Sequence, residues 1–288
     1  MSADRQDLVI QGNDLPADAL RSVQTIAGST AAVQVAGPVP AWRLSDANPA
    51  ARSEVAAFCD RRSLDHAFVP AGREWNDIGL IAMDMDSTLI TIECIDEIAD
   101  FAGRKAEVAA VTAAAMRGEI DWPQSLRQRV SLLEGLDEAV LAAVYEQRLA
   151  LTPGAEALIA FARAHGIRLL LVSGGFTFFT DRIRQRLGLD FAYSNLLGIR
   201  AGRLTGQVDG PLCDAHAKRR HLMETRDALG LAPQHTLAIG DGANDLPMMA
   251  EAGYSIAYRA KPKVQAAASA AINHGGLDRV LALFPGGV

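Results

Sequence analysis

The 288-residue sequence predicts an α/β protein: a doubly wound parallel sheet with an inserted helical cap, preceded by a small α+β unit. Three observations carry that expectation. Short apolar runs alternate with amphipathic helical stretches from residue 77 onward, a strand-free segment from 93 to about 150 interrupts them, and residues 1–75 follow a pattern of their own. Apolar types make up 49% of the chain, enough to bury the core of one large or two modest domains.

The first zone reads as strand "DLVIQG", helix "ADALRSVQTIAG", strands "AAVQVAG" and "AWRLS", helix "PAARSEVAAFCDRRSL" and strand "HAFVP". This β-α-β-β-α-β order describes a ferredoxin-like unit. "GPVP" at 37–40 marks a turn in its middle, and the polar "PAGREWND" at 70–77 reads as a linker, so a domain boundary is expected near residue 76. The second zone opens with "DIGLIAMDMD" and resumes after 151 with "IRLLLVSGG", "FAYSN", "HTLAIGDGAND" and "YSIAY", spaced by helices such as "GAEALIAFARAHG" and "FTFFTDRIRQRLG". Buried apolar strands joined by helices pair in parallel. "LGIRAGRLTGQVDG" reads as a hairpin. Between them, "ECIDEIADFAG", "KAEVAAVTAAAMRG", "DWPQSLRQRVSLLEG" and "DEAVLAAVYEQRLA", punctuated by Gly103, Gly118 and Gly135, read as a four-helix cap.

Composition excludes several classes of partner. The net charge of −6, with no basic stripe, argues against nucleic acid. No apolar run reaches membrane-spanning length and the acidic N-terminal stretch lacks a signal-peptide pattern, so a cytoplasmic protein without a membrane partner is expected. Cys59, Cys94 and Cys213 match no zinc or disulfide spacing and read as reduced, buried residues.

Three apolar runs break into polar residues at their carboxyl ends: "LIAMD" at Asp84, "LLLVS" at Ser173 and "LAIGD" at Asp241. Parallel strands put those ends on one edge, where open α/β sheets bind ligands. Alone, an Asp-x-Asp-Ser is ordinarily a turn or helix cap; three such clusters in order are not explained that way. Asp84 and Asp86 stand two apart, and like charges that close require a proton or cation between them. With Asp241 and Asp245 they form an all-oxygen donor set without His or Cys, which suits Mg2+ and disfavours zinc. Given a phosphate, Asp84 is placed as a nucleophile that would form an aspartyl phosphate, and Asp86 as the acid and then base. Ser173 with the N–H groups of Gly174 and Gly175 can cradle phosphate oxygens, and Lys218 can neutralise their charge. "GDGAND" lacks the GxGxxG pattern of a dinucleotide loop.

"DMDST", "VSGG", Lys218 and "GDGAND" together resemble the four motifs of the haloacid dehalogenase (HAD) superfamily, and the cap stretches "ECIDEIADFAG" and "AAAMRGEIDWPQSLRQRVSLL" resemble its phosphoserine phosphatase family, over about residues 78–284. The resemblance implies Mg2+-dependent hydrolysis of O-phospho-L-serine, the last step of serine biosynthesis. It implies Asp84 as nucleophile, Asp86 as proton donor, and Asp84, Asp86 and Asp241 as metal ligands. Ser173, Gly174, Lys218 and Asn244 would contact phosphate or substrate, with Glu93 and Arg129 reading the serine ammonium and carboxylate. Arg127 competes with Arg129, but residues two apart on a helix face different ways, and the family pattern points to Arg129. Met116 and Trp122 are expected as an apolar wall or as cap core. Met85 and Trp122 stand where that family often has phenylalanine. A sister reading is a phosphatase or phosphotransferase for another small phosphomonoester, such as phosphohomoserine. A different class of reading takes residues 1–75, which resemble ACT-type regulatory domains, as a serine sensor or as the seat of a homodimer.

Overall fold

The computed structural model describes residues 6–37 and 40–286, so the middle of the "GPVP" turn lies outside the described residues. The chain begins β1 (Gln6–Gln11), α1 (Ala17–Ala27), β2 (Ala31–Val35), β3 (Ala41–Ala47), α2 (Arg52–Asp60) and β4 (Asp65–Pro70). It continues with β5 (Leu80–Met83) and the cap helices α3 (Cys94–Phe101), α4 (Lys105–Met116), α5 (Trp122–Ser131) and α6 (Ala139–Gln147). Then come α7 (Ala155–Ala164), β6 (Arg168–Phe176), α8 (Thr177–Leu187), β7 (Phe191–Arg200), β8 (Arg203–Asp209) and α9 (Ala215–Ala228). It closes with β9 (Thr236–Gly240), α10 (Leu246–Glu251), β10 (Tyr254–Tyr258), α11 (Pro262–Ala267) and β11 (Ala270–Ile272). The fold is mixed α/β with parallel strand pairs, as the alternation of apolar runs and helices predicts.

Two compact units divide these elements. The first comprises Met1–Ile81, Pro153–Arg168 and Arg226–Val288. Its strands run β2-β3-β1-β4-β11-β10-β9. The first four pair antiparallel, β9, β10 and β11 pair parallel, and one antiparallel bridge, His66 to Ala271, joins the two sets. Ala19, Val23 and Ala27 recur every four residues along α1, which puts them on one face, and they are buried against Leu8, Ile10, Leu44 and Phe68 of the strands. The helix stops at Gly28, whose φ of 64° is the left-handed cap a glycine adopts without a Cβ penalty. The 70–77 stretch is pinned: the buried Trp75 indole donates to the Leu281 carbonyl at 3.0 Å, and its backbone N–H donates to Pro285 O at 3.0 Å.

The second unit comprises Ala82–Thr152 and Leu169–Thr225. Here β6 and β7 pair in parallel, and β7 and β8 form the expected hairpin. The four cap helices are inserted between paired strand ends: Ile90 bridges Leu151, and the Thr91 and Thr152 N–H groups donate to Ala150 O and Leu89 O, both at 3.0 Å. The insertion therefore leaves and returns at adjacent points. Among the described residues, no helix is long and apolar enough to cross a membrane.

Candidate active site

β5 is buried throughout, so the sequence can turn polar only where that strand ends, and Asp84 is the first polar residue there. Its carboxylate is 5% exposed as a residue and held at both oxygens: Oδ1 accepts the Met85 N–H at 2.7 Å and Oδ2 pairs with the Lys218 ammonium at 2.8 Å. Lys218 itself is fully buried and so is not part of a solvated face of its helix. A buried ammonium needs its counter-charge, so the pair fixes the ionised carboxylate. Lys218 is aimed from the first turn of α9, where the Asp214 side chain accepts the Ala217 N–H at 2.8 Å.

After Asp84 the chain makes a tight turn. Ser87 has φ 57°, a left-handed conformation costly for a residue with a Cβ. It is held there because its N–H donates to Ile92 O at 3.2 Å and its hydroxyl donates to Glu93 Oε1 at 2.7 Å. The turn swings Asp86 so that Oδ1 accepts the Cys94 N–H at 3.2 Å, at the positive end of α3.

From β6, the buried Ser173 Oγ accepts the Gly175 N–H at 2.8 Å. A Cβ on Gly175 would lie 2.7 Å from Asp86 Oδ2, and one on Gly174 would lie 2.8 Å from Trp122 Cζ2. Both glycines are what allow those side chains to close on the turn. One residue that sequence reasoning missed sits alongside. Asn195, fully buried at the end of β7's pairing with β6, donates from Nδ2 to Gly174 O and accepts the Cys213 N–H at Oδ1, each at 2.8 Å. Its only signal in the sequence is a single amide in the run "FAYSNLL".

The cap supplies Glu93 and Arg129. Glu93 keeps solvent contact, yet protein crowds its carboxylate, and this desolvation, with the charges of Asp86 and Asp96, pushes its pKa up to about 7 against the Ser87 hydrogen bond and the Arg129 charge. Desolvation lowers the Arg129 pKa, while Asp96, Glu93 and Asp86 oppose that shift. The Arg129 Nε reaches Ser125 O at 3.4 Å, and its terminal nitrogens have no hydrogen-bond partner among the described residues. Arg127 is exposed and Arg129 half-buried, as their spacing predicts for opposite faces. Trp122 is half-buried against Gly174, whereas Met116 is 67% exposed at the end of α4 and is not core. Burial raises the thiol pKa of Cys94 well above normal and that of Cys213 to about 11, so both stay thiols.

In the first unit, the loop after β9 carries Asp241 and Asn244, both half-buried, and the fully buried Asp245, whose Oδ2 accepts the Gly242 N–H at 3.0 Å. Asp241 and Asp245 on this loop, like Asp84 at the end of β5, are carboxylates of the hard-oxygen kind that holds a divalent ion.

Residues 78–253 match the sequence model of the haloacid dehalogenase-like hydrolases, and residues 8–55 match a domain of unknown function, DUF4072. A phosphoserine phosphatase of Polaromonas sp. is 59% identical over 213 residues, which cover 72% of this chain and 90% of that protein. Among solved structures, a HAD-family hydrolase of Salmonella enterica serovar Typhi superposes with a TM-score of 0.90 at 30% identity over 99% of each chain. A phosphoserine phosphatase bearing a phospho-aspartyl intermediate analogue gives a TM-score of 0.67 at 40% identity over 71% of this chain and 97% of that one. On the extent of the family match and the identity of its relatives, the chain belongs to the haloacid dehalogenase-like hydrolases.

Proposed function

We propose that the protein hydrolyses O-phospho-L-serine to L-serine and phosphate through an aspartyl phosphate on Asp84. The observation that carries this reading is the buried Asp84–Lys218 ion pair at 2.8 Å. It supplies an ionised, fixed nucleophile together with a cation for the transferring group. Asp84 Oδ attacks phosphorus and the seryl oxygen leaves. Asp86 gives that oxygen its proton and then takes one from the water that cleaves the acyl phosphate. The Ser173 hydroxyl, the Gly174 backbone and Asn244 hold phosphate oxygens. Glu93 meets the substrate ammonium, and the terminal N–H groups of Arg129 grip its carboxylate as a fork.

The donor set fits Mg2+, since the carboxylates of Asp84, Asp86 and Asp241 are hard ligands and the buried thiols of Cys94 and Cys213 stay protonated. When bound, Mg2+ offsets the crowded negative charge and orients a phosphate oxygen. On the same reading, residues 1–75 are an added module on a 76–288 phosphatase with its cap at about 93–150, the enzyme is cytoplasmic, and pairing of copies runs through the N-terminal module. Support for that last point is the open β2 edge, where Val33 is 62% exposed.

Phosphate release measured over a panel of phosphomonoesters tests the reading. Phosphoserine should be turned over only with Mg2+ present, and Asp84→Asn should lower kcat by at least about a thousandfold and abolish trapping of the phosphoenzyme. Full rate in that variant removes the nucleophile, and faster turnover of phosphohomoserine removes the substrate.

A further inference from the structure

Between Val172 and Phe176 the β6–β7 ladder slips. Val172 lies opposite Tyr193 and Phe176 opposite Asn195, so four steps of β6 run against two of β7. Ser173, Gly174 and Gly175 fall in the gap of the β6–β7 register, and there the Gly174 carbonyl accepts from a side chain, the Asn195 amide.

We infer that Asn195 is the positioning residue that sets this turn for catalysis. Its Nδ2 donates to Gly174 O at 2.8 Å across the register gap, while the N–H of that same peptide, on Gly175, donates to Ser173 Oγ at 2.8 Å. The peptide plane is therefore clamped on both edges. With one lone pair of Ser173 Oγ engaged by an N–H, the hydroxyl proton is turned outward, where a phosphate oxygen can accept it. The other end of the same amide accepts the Cys213 N–H at 2.8 Å, at the start of the segment that leads into α9 and Lys218. One fully buried side chain thus ties the strand that donates to phosphate to the helix that carries the cation. A buried amide that links two functional segments transmits any misplacement to both, and small misplacements of aligned groups are costly in rate.

The inference rests on the phosphatase reading and is tested separately from it. Asn195→Asp keeps shape and the acceptor for Cys213 but sets an oxygen against Gly174 O. In the folded variant, kcat/KM for phosphoserine should fall at least about tenfold and the inhibition constant of inorganic phosphate should rise in parallel, a loss of the size expected for one buried hydrogen bond. Acidification, which protonates the new carboxyl and restores a donor, should narrow the gap to the unsubstituted enzyme. A purely structural role would lower Tm while leaving phosphate inhibition unchanged, and that result overturns the inference. Should Asn195→Asp fail to fold, nuclear magnetic resonance of the unsubstituted protein decides: the Asn195 side-chain amide protons should resist exchange and shift on adding inorganic phosphate, and rapid exchange with water refutes the clamp. If the unsubstituted protein releases no phosphate from phosphoserine, the phosphatase reading fails; if it does and Asn195→Asp matches it within twofold, only the clamp fails.

Discussion

At the scale of single residues, Glu93 carries the most informative electrostatics. Desolvation of its carboxylate by the surrounding protein, with the Asp86 charge, raises its pKa to about 7, so in the free protein it holds a proton below that pH and gives it up above. An ammonium ligand is attracted only to the ionised form. Substrate binding should therefore pull the pKa down and release a proton near neutrality, and the KM for phosphoserine should rise as pH falls below about 7. Glu93→Gln should show a higher KM with that inflection removed, which separates it from protonation of the substrate phosphate, common to both proteins. Identical KM–pH profiles from pH 6 to 8 would refute the assignment. Asp84, Asp86, Ser173 and Lys218 were legible because each stands at a strand end or at a motif position. Asn195 was not, because its role comes from a slip in register between two strands, and no single residue type announces a slip.

At the scale of elements, the cap helix that bears Arg129 depends on its first turn. Asp121 caps α5: its Oδ1 accepts the Gln124 N–H at 2.7 Å, and Gln124 Oε1 accepts the Asp121 N–H at 3.2 Å. Removing the Asp121 side chain leaves the Gln124 N–H to water alone. Asp121→Ala should cost about 1 kcal/mol of stability by urea unfolding, and an unchanged midpoint would show that packing, not capping, fixes the helix start. The helices themselves were readable from spacing and from the glycines between them. The turn over Met85–Leu89 was not, since a serine at φ 57° runs against its own preference and persists only through hydrogen bonds to Ile92 and Glu93.

At the scale of the whole molecule, the N-terminal strand order was legible from alternation and turn residues, but its attachment was not. Asp65 looks in the sequence like an unremarkable residue at the start of a strand. In the fold it is 3% exposed, and its carboxylate gathers three consecutive backbone N–H groups just past β11: Asn273 at 2.6 Å, His274 at 3.0 Å and Gly275 at 2.8 Å. Tyr254 reinforces the seam by donating its hydroxyl to Phe68 O at 2.9 Å, and Arg43 donates to Leu283 O at 2.7 Å. These bonds tie the N-terminal module to the rest of the first unit. Asp65→Ala strips three donors of their acceptor at once. With water recovering part of the loss, the expected cost is about 2–4 kcal/mol, read as a lower urea midpoint. The Asp65 carboxylate is taken up by Asn273, His274 and Gly275, none of which is assigned to the site, so phosphatase turnover below the transition should be unchanged. A stability loss under about 0.5 kcal/mol would mean that the seam is held by strand pairing alone, and a loss of turnover without a loss of stability would mean that the N-terminal layer acts on catalysis directly.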